Sequence, residues 1–154
     1  MTGDGVAAAR AIAAAVEDPE LPPLTIADLG ILRDVRRDSA GLLVVSITPT
    51  YSGCPANAVI ALEVEAALRA AGHLDARVVT EWAPAWSTAD ITPAGAARLA
   101  ALGIAPPSPD GAPPACPRCG DRRTTELSRF GATACKALWR CDACREPFEA
   151  FKTL

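Results

Sequence analysis

Four of the six cysteines fall into two pairs of identical spacing, Cys116-Pro117-Arg118-Cys119 and Cys141-Asp142-Ala143-Cys144, with twenty-one residues between them. A C-x2-C turn brings two sulfurs and nearby backbone N–H groups to one point. Two such turns make a tetrahedral thiolate set that suits zinc or a sulfur-ligated iron. Gly120, after the first pair, helps that turn close. Between the pairs, Thr124–Phe130 and Ala134–Arg140 read as strands around Gly131, and Phe148–Lys152 reads as a third. This is a zinc-ribbon pattern with a spacing somewhat longer than usual, which a hairpin absorbs. About 39 residues cannot build an adequate core alone, so the metal is expected to fold the module. Structural Zn2+ is the leading expectation, with an iron–sulfur centre or a redox dithiol as alternatives. Cys135, the fifth thiol here, reads as a packed cysteine, with a surrogate ligand or redox thiol as the other reading.

Prolines set this module apart. Pro106-Pro107-Ser108-Pro109-Asp110-Gly111-Ala112-Pro113-Pro114 favours an extended linker over packing. The expected organisation is therefore a domain over 1–105, a Pro-rich linker over 106–115 and a zinc ribbon over 116–154.

The first domain is organised around Leu42–Gly72. Leu42–Thr48 is apolar on both faces and β-branched, as a buried strand requires. Ala56–Ala71 reads as a helix stopped by Gly72, with Val59, Ile60, Leu62, Val64 and Leu68 toward the sheet. Between them, Gly53 permits an unusual backbone conformation and Pro55 suits a helix start. Cys54 is thereby set at a helix N-terminus, where the dipole favours a thiolate, so it is a candidate reactive or ligating thiol. The bland reading, a buried cysteine acting as a small hydrophobe, stands beside it.

Around this unit, Asp4 caps a helix to about Val16, with Val6, Ala9, Ile12, Ala13 and Val16 on one face. Thr25–Gly30 is a single turn, Ile31–Arg37 a strand, and Asp38–Gly41 a hairpin turn. Ala76–Trp82 is a third strand, and Thr92-Pro93 opens a last helix ending at Gly103. The fold class is α+β: a small three-stranded sheet packed with helices, in the order α-β-β-α-β-α, followed by a small β zinc-ribbon module. The tryptophans read as core or interface residues, and the single histidine, His73, as a solvated one.

Charge is uneven. Residues 1–115 hold seven arginines against thirteen acids, a net of −6; residues 116–154 hold eight basic residues against five acids, a net of +3. A basic tail on an acidic body suits nucleic acid, an acidic protein or a phosphate-bearing ligand, although solvated surface accounts for so small an excess. No apolar run reaches the roughly 18 to 20 residues of a membrane span. Val6–Val16 carries Arg10 and follows Asp4, unlike a signal peptide, so a cytoplasmic protein with metal-binding or redox cysteines is expected. There is no dinucleotide fingerprint and no catalytic triad, and one histidine excludes most histidine-ligated chemistry.

Asp18-Pro19-Glu20, Ile26-Ala27-Asp28-Leu29-Gly30-Ile31 and Thr50-Tyr51-Ser52-Gly53-Cys54-Pro55-Ala56 resemble the iron–sulfur assembly domain of the SufT-like family over about residues 5–105. In the tail, the stretches 128–138 and Cys144-Arg145-Glu146-Pro147-Phe148 extend the likeness. The whole chain is similar to the D-type accessory subunits of bacterial phenylacetyl-CoA 1,2-epoxidases, which serve phenylacetate degradation. It departs at Ser87-Thr88-Ala89-Asp90-Ile91, where relatives place an Asp-Trp pair. The resemblance implies a non-catalytic role in maturing iron–sulfur or other metal centres. It also implies partners among the oxygenase and reductase subunits, and a transient iron–sulfur cluster on Cys54, with Asp18, Asp28 and Thr50 as supporting candidates. A homodimer stays open.

Two further functions compete. One is a structural adaptor whose ribbon docks on the oxygenase or reductase without transferring a cluster. The other is a nucleic-acid-binding zinc ribbon, which the acidic body and the lack of a dense basic patch disfavour.

Overall fold

The computed structural model describes residues 2–51 and 53–153, so Ser52 of the Thr50–Ala56 motif lies outside the described residues. The chain divides into two compact units, Met1–Trp86 and Ser87–Leu154. The elements of the first unit are α1 (Thr2–Ala14), β1 (Leu32–Arg37), β2 (Leu43–Ile47), α2 (Ala56–Ala70) and β3 (Arg77–Thr80). Those of the second are α3 (Pro93–Ala101), β4 (Ile104–Ala105), β5 (Thr124–Ser128), β6 (Lys136–Cys141) and β7 (Pro147–Phe151). The expected α-β-β-α-β-α order is present, followed by the β-rich tail.

In the first unit the sheet order is β1-β2-β3, with β1 antiparallel to β2 and β3 parallel to it. Every residue of β2 is buried, as its two-sided apolar sequence requires. Ser46 is the polar exception: its hydroxyl donates to Glu81 at 2.7 Å and accepts from Arg36 at 2.8 Å. The parallel pairing needs a crossover, and α2 supplies it.

α2 buries Ala56, Ile60, Val64 and Leu68, a strict i, i+4 row, while Val59 and Leu62 face solvent. The broader apolar face expected from sequence is narrowed to the stripe that packs against α1 and β3. The helix ends in a Schellman motif: His73 N–H donates to Leu68 C=O and Gly72 N–H to Arg69 C=O, with Gly72 at φ +94°. His73 is half-buried within that cap. α1 begins at Thr2, so Asp4 lies in its first turn and is no N-cap; its charge still suits the positive end of the helix dipole.

In the second unit the sheet order is β4-β7-β6-β5. β4 pairs parallel to β7, so Ile104 and Ala105, which no strand was expected to include, form an edge of this sheet. α3 is capped as expected, Thr92 Oγ1 accepting the Gly95 N–H at 3.0 Å. The Pro-rich stretch turns on itself, with Gly111 N–H donating to Ser108 C=O, and is tied to β5 by Thr124 Oγ1 donating to Pro114 C=O at 2.8 Å. Among the described residues no helix is long and apolar enough to cross a membrane.

Candidate metal centre and reactive thiol

The two C-x2-C turns are built alike. In the first, Gly120 N–H donates to Cys116 C=O at 2.8 Å and Cys116 N–H to Asp121 C=O at 2.9 Å. In the second, Arg145 N–H donates to Cys141 C=O and Cys141 N–H to Glu146 C=O, both at 3.0 Å. The residue after each second cysteine is left-handed, Gly120 at φ +79° and Arg145 at φ +67°. Sequence reasoning singled out the glycine; nothing in the sequence marks Arg145 except its equivalent offset.

The four sulfurs lie within 4.8 Å of one another, with Cys116 to Cys144 at 3.8 Å and Cys119 to Cys141 at 3.5 Å. A tetrahedral ion held by four thiolates at about 2.3 Å sets S···S edges of about 3.8 Å, so the set fits one zinc-sized ion. The separations are far beyond an S–S bond of about 2.05 Å, and all four thiols are free. Cys116 and Cys141 are buried and pack with Ala105, Phe148 and Ala150, against which Trp139 also rests. Cys119 and Cys144 are exposed.

Electrostatics within the cluster separate the thiols. The Cys144 N–H, donating at 3.4 Å, brings Cys141 down to about 7. For Cys144 the Glu146 N–H favours the thiolate, but desolvation and the three neighbouring sulfurs outweigh it and push the thiol up to about 12. Cys119 is raised too: the Asp121 N–H lowers it, and the Cys141 sulfur with desolvation overcomes that. Four thiolates this close require a cation between them. Beside them, hydrogen bonds from the Arg123 guanidinium and N–H hold Asp121 at about 2.

Cys54 lies in the loop from β2 to α2, at the carboxyl end of the parallel strands, where ligands collect in α/β crossovers. Gly53 stands at φ +81°, and Pro55, the residue before α2, gives the helix no side-chain cap. Cys54 is half-buried, and among the described residues its thiol has no hydrogen-bond partner. The same end of the sheet also holds two buried polar atoms without partners among the described residues, Thr48 Oγ1 and Asn57 Oδ1. Asn57 Nδ2 meanwhile ties α2 to β3 through Thr80 Oγ1 at 3.2 Å. Orphaned buried atoms are where a ligand or water is met, and sequence periodicity gives no sign of them.

The supporting candidates do other things. Asp18 is buried and accepts the N–H groups of Glu20 and Leu21 on one oxygen, at 2.7 and 3.2 Å. Asp28 is buried in a reciprocal cap: it accepts Thr25 N–H at 3.0 Å, while Thr25 Oγ1 accepts Asp28 N–H at 3.1 Å. Thr50 is half-buried in the loop before Cys54. The ribbon cysteines are the only group of three or more Cys, His, Asp or Glu side chains among the described residues placed to hold a metal, so these residues do not gather with Cys54 into such a group. Cys135 stands outside the four, buried, with Thr133 Oγ1 3.0 Å from its sulfur.

Comparison with known proteins follows the same division. Residues 7–79 match the family described as iron-sulfur cluster assembly protein, and residues 108–152 match the PaaD zinc beta ribbon domain. Over 150 residues, 94% of this chain and 90% of its relative, the sequence is 45% identical to the D-type subunit of the putative 1,2-phenylacetyl-CoA epoxidase of Escherichia coli K12. The chain belongs to the family of D-type phenylacetyl-CoA epoxidase subunits. Its first part is also 38% identical over 73 residues to the Fe-S protein maturation auxiliary factor YitW of Bacillus subtilis, covering 47% of this chain and 71% of that one. The crystal structure of a DUF59 domain from Bacillus anthracis shares its fold, with a TM-score of 0.57 at 28% identity, over 63% of this chain and 92% of the domain. This D-type family member thus joins an assembly-type domain carrying Cys54 to a ribbon carrying the four-sulfur set.

Proposed function

We propose that this protein is an accessory factor that supports assembly of an iron–sulfur, or other metal, centre of the multicomponent phenylacetyl-CoA epoxidase, and that it does not itself turn over substrate. The observation that carries the reading is the half-buried Cys54 thiol, without a hydrogen-bond partner among the described residues, at the uncapped start of α2 and inside the segment matching the iron–sulfur assembly family. Cys54 receives the cluster as cargo and releases it to the oxygenase or reductase. Asp18 and Asp28 serve this step through the backbone they hold, and Thr50 by its place in the Cys54 loop.

Cys116, Cys119, Cys141 and Cys144 hold the ribbon's resident ion, for which zinc is the best match. With four thiolates it has no open position, so it supplies folding energy, not Lewis-acid chemistry. Cytoplasmic assembly fits free thiols in every cysteine.

Thiol reactivity tests the reading. In zinc-loaded protein the ribbon sulfurs are masked by the ion and Cys135 is buried, so Cys54 should be the fastest-alkylated cysteine by peptide mapping. Protein alkylated there should no longer accept a cluster in anaerobic reconstitution. Faster alkylation of Cys135 with Cys54 protected, or an undiminished cluster spectrum after Cys54 is blocked, contradicts it.

A further inference from the structure

The tip of the β5–β6 hairpin holds an aromatic ring out to solvent on a loop with little freedom to withdraw it. Phe130 is 69% exposed. Its N–H donates to Ser128 Oγ at 3.2 Å, and that hydroxyl donates back to the Phe130 carbonyl at 3.1 Å. Gly131 N–H donates to Lys136 C=O and Ala132 N–H to the Glu149 carboxylate, both at 2.7 Å. A Cβ at position 131 would displace the Glu149 carboxylate that takes the Ala132 N–H. Lys152 Nζ donates to Ala134 C=O at 2.8 Å while lying 4.2 Å from the centre of the Phe130 ring.

Beneath the loop, Lys136 is only 5% exposed and pairs with Glu149 at 3.3 Å. A buried ion pair contributes little net stability compared with apolar residues of the same volume. Here it fixes the loop that displays Phe130. Single exposed apolar residues are ordinary. An aromatic on a braced loop differs, because its ordering cost is met before binding, which is the character of an interface anchor. Leu127 of β5, 49% exposed, adds apolar surface to the same hairpin. Basic residues outnumber acids there: Arg129 precedes Phe130 in the chain and Lys152 lies over its ring, the charge of Lys136 is taken up by Glu149, and Glu126 is the one acid of β5.

We propose that Phe130, flanked by Arg129 and Lys152, is a preorganised docking knob for an apolar pocket rimmed by carboxylates on a protein subunit of the epoxidase. The choice of partner rests on the proposed function; the knob itself rests on the loop.

The test measures affinity of the full-length, metal-loaded protein for the purified oxygenase and reductase subunits of its own epoxidase. Phe130→Ala should weaken binding about 30-fold or more, as loss of an anchor does. Arg129→Glu should weaken it and flatten its dependence on salt. Leu74→Ala, at an exposed site of the first unit, should bind like the unmodified chain. Unchanged metal content and thermal midpoint in each variant keep the readout on the interface. Equal binding by Phe130→Ala, binding to neither subunit, or Phe130-dependent binding confined to a single-stranded oligonucleotide overturns the proposal. These outcomes are separable from the maturation reading, which is judged by cluster content with Cys54→Ser and not by affinity.

Discussion

Arg145 is the structural counterpart of Gly120: each follows the second cysteine of its pair, with φ +67° and +79°. A side chain in this region costs roughly 1–2 kcal/mol. Nothing crowds a Cβ at Gly120, so Gly120→Ala should lose only that strain, less the roughly 0.5–1 kcal/mol that a stiffer unfolded chain returns. Arg145→Gly relieves that strain but adds freedom to the unfolded chain worth about 0.5–1 kcal/mol, and should be neutral to stabilising by up to about 1.5 kcal/mol. Denaturant unfolding of metal-loaded protein checks both, and a large loss in Arg145→Gly would show that its side chain matters more than its backbone.

The ribbon's stability should depend on its ion. Metal binding in comparable zinc modules supplies roughly 10–16 kcal/mol, so Cys119→Ser or Cys144→Ser should unfold the tail while leaving Met1–Trp86 protease-resistant. Chelation of the unmodified protein should do the same. A tail that resists protease after the metal is stripped contradicts the assignment.

Asp18 should show a distinctive pH dependence. Burial raises its pKa above 3.8, against the lowering effect of the Glu20 and Leu21 N–H groups. The folded state therefore holds the proton more tightly than the unfolded chain. That contribution is fully present below the unfolded pKa and is lost as pH rises through the higher folded one. Asparagine can accept the same two hydrogen bonds without the charge. Asp18→Asn should therefore gain stability relative to the unmodified chain at pH 7, with the gain fading as pH falls through the raised folded pKa and gone below about pH 3.8. An advantage equal at pH 3 and pH 7 would point to packing instead.

The tryptophans divide cleanly. Trp86 is buried and donates its indole N–H to Leu29 C=O at 2.8 Å. Trp86→Phe removes that bond and leaves a carbonyl unpaired, for a cost of about 1–3 kcal/mol. Trp82 is 60% exposed, and Trp82→Phe should stay within about 0.5 kcal/mol. Equal midpoints for the two variants would contradict the difference in environment.

What the sequence made legible follows from local rules. Two-sided apolar character marked β2, Thr92-Pro93 marked the start of α3, Gly72 marked the end of α2, and cysteine spacing marked the four-sulfur set. What it hid depends on partners distant in the chain. Val59 and Leu62 are as apolar as Ile60 and Val64, and only the packing of α2 against α1 and β3 decides which are covered. Ile104–Ala105 becomes a strand because β7 offers an edge some forty residues later. The Thr48 and Asn57 atoms without partners among the described residues, and the Glu149 brace beneath Phe130, arise from tertiary placement, which no periodicity encodes.

The central claim, that Cys54 carries a cluster as cargo to the epoxidase, is tested most directly by the iron and sulfide content of the reductase subunit. That subunit would be purified from cells co-expressing it with either the unmodified protein or Cys54→Ser. The account predicts a variant with unchanged fold and ribbon metal whose companion reductase is short of iron and sulfide and weak in visible absorbance. A reductase fully loaded beside Cys54→Ser would contradict it.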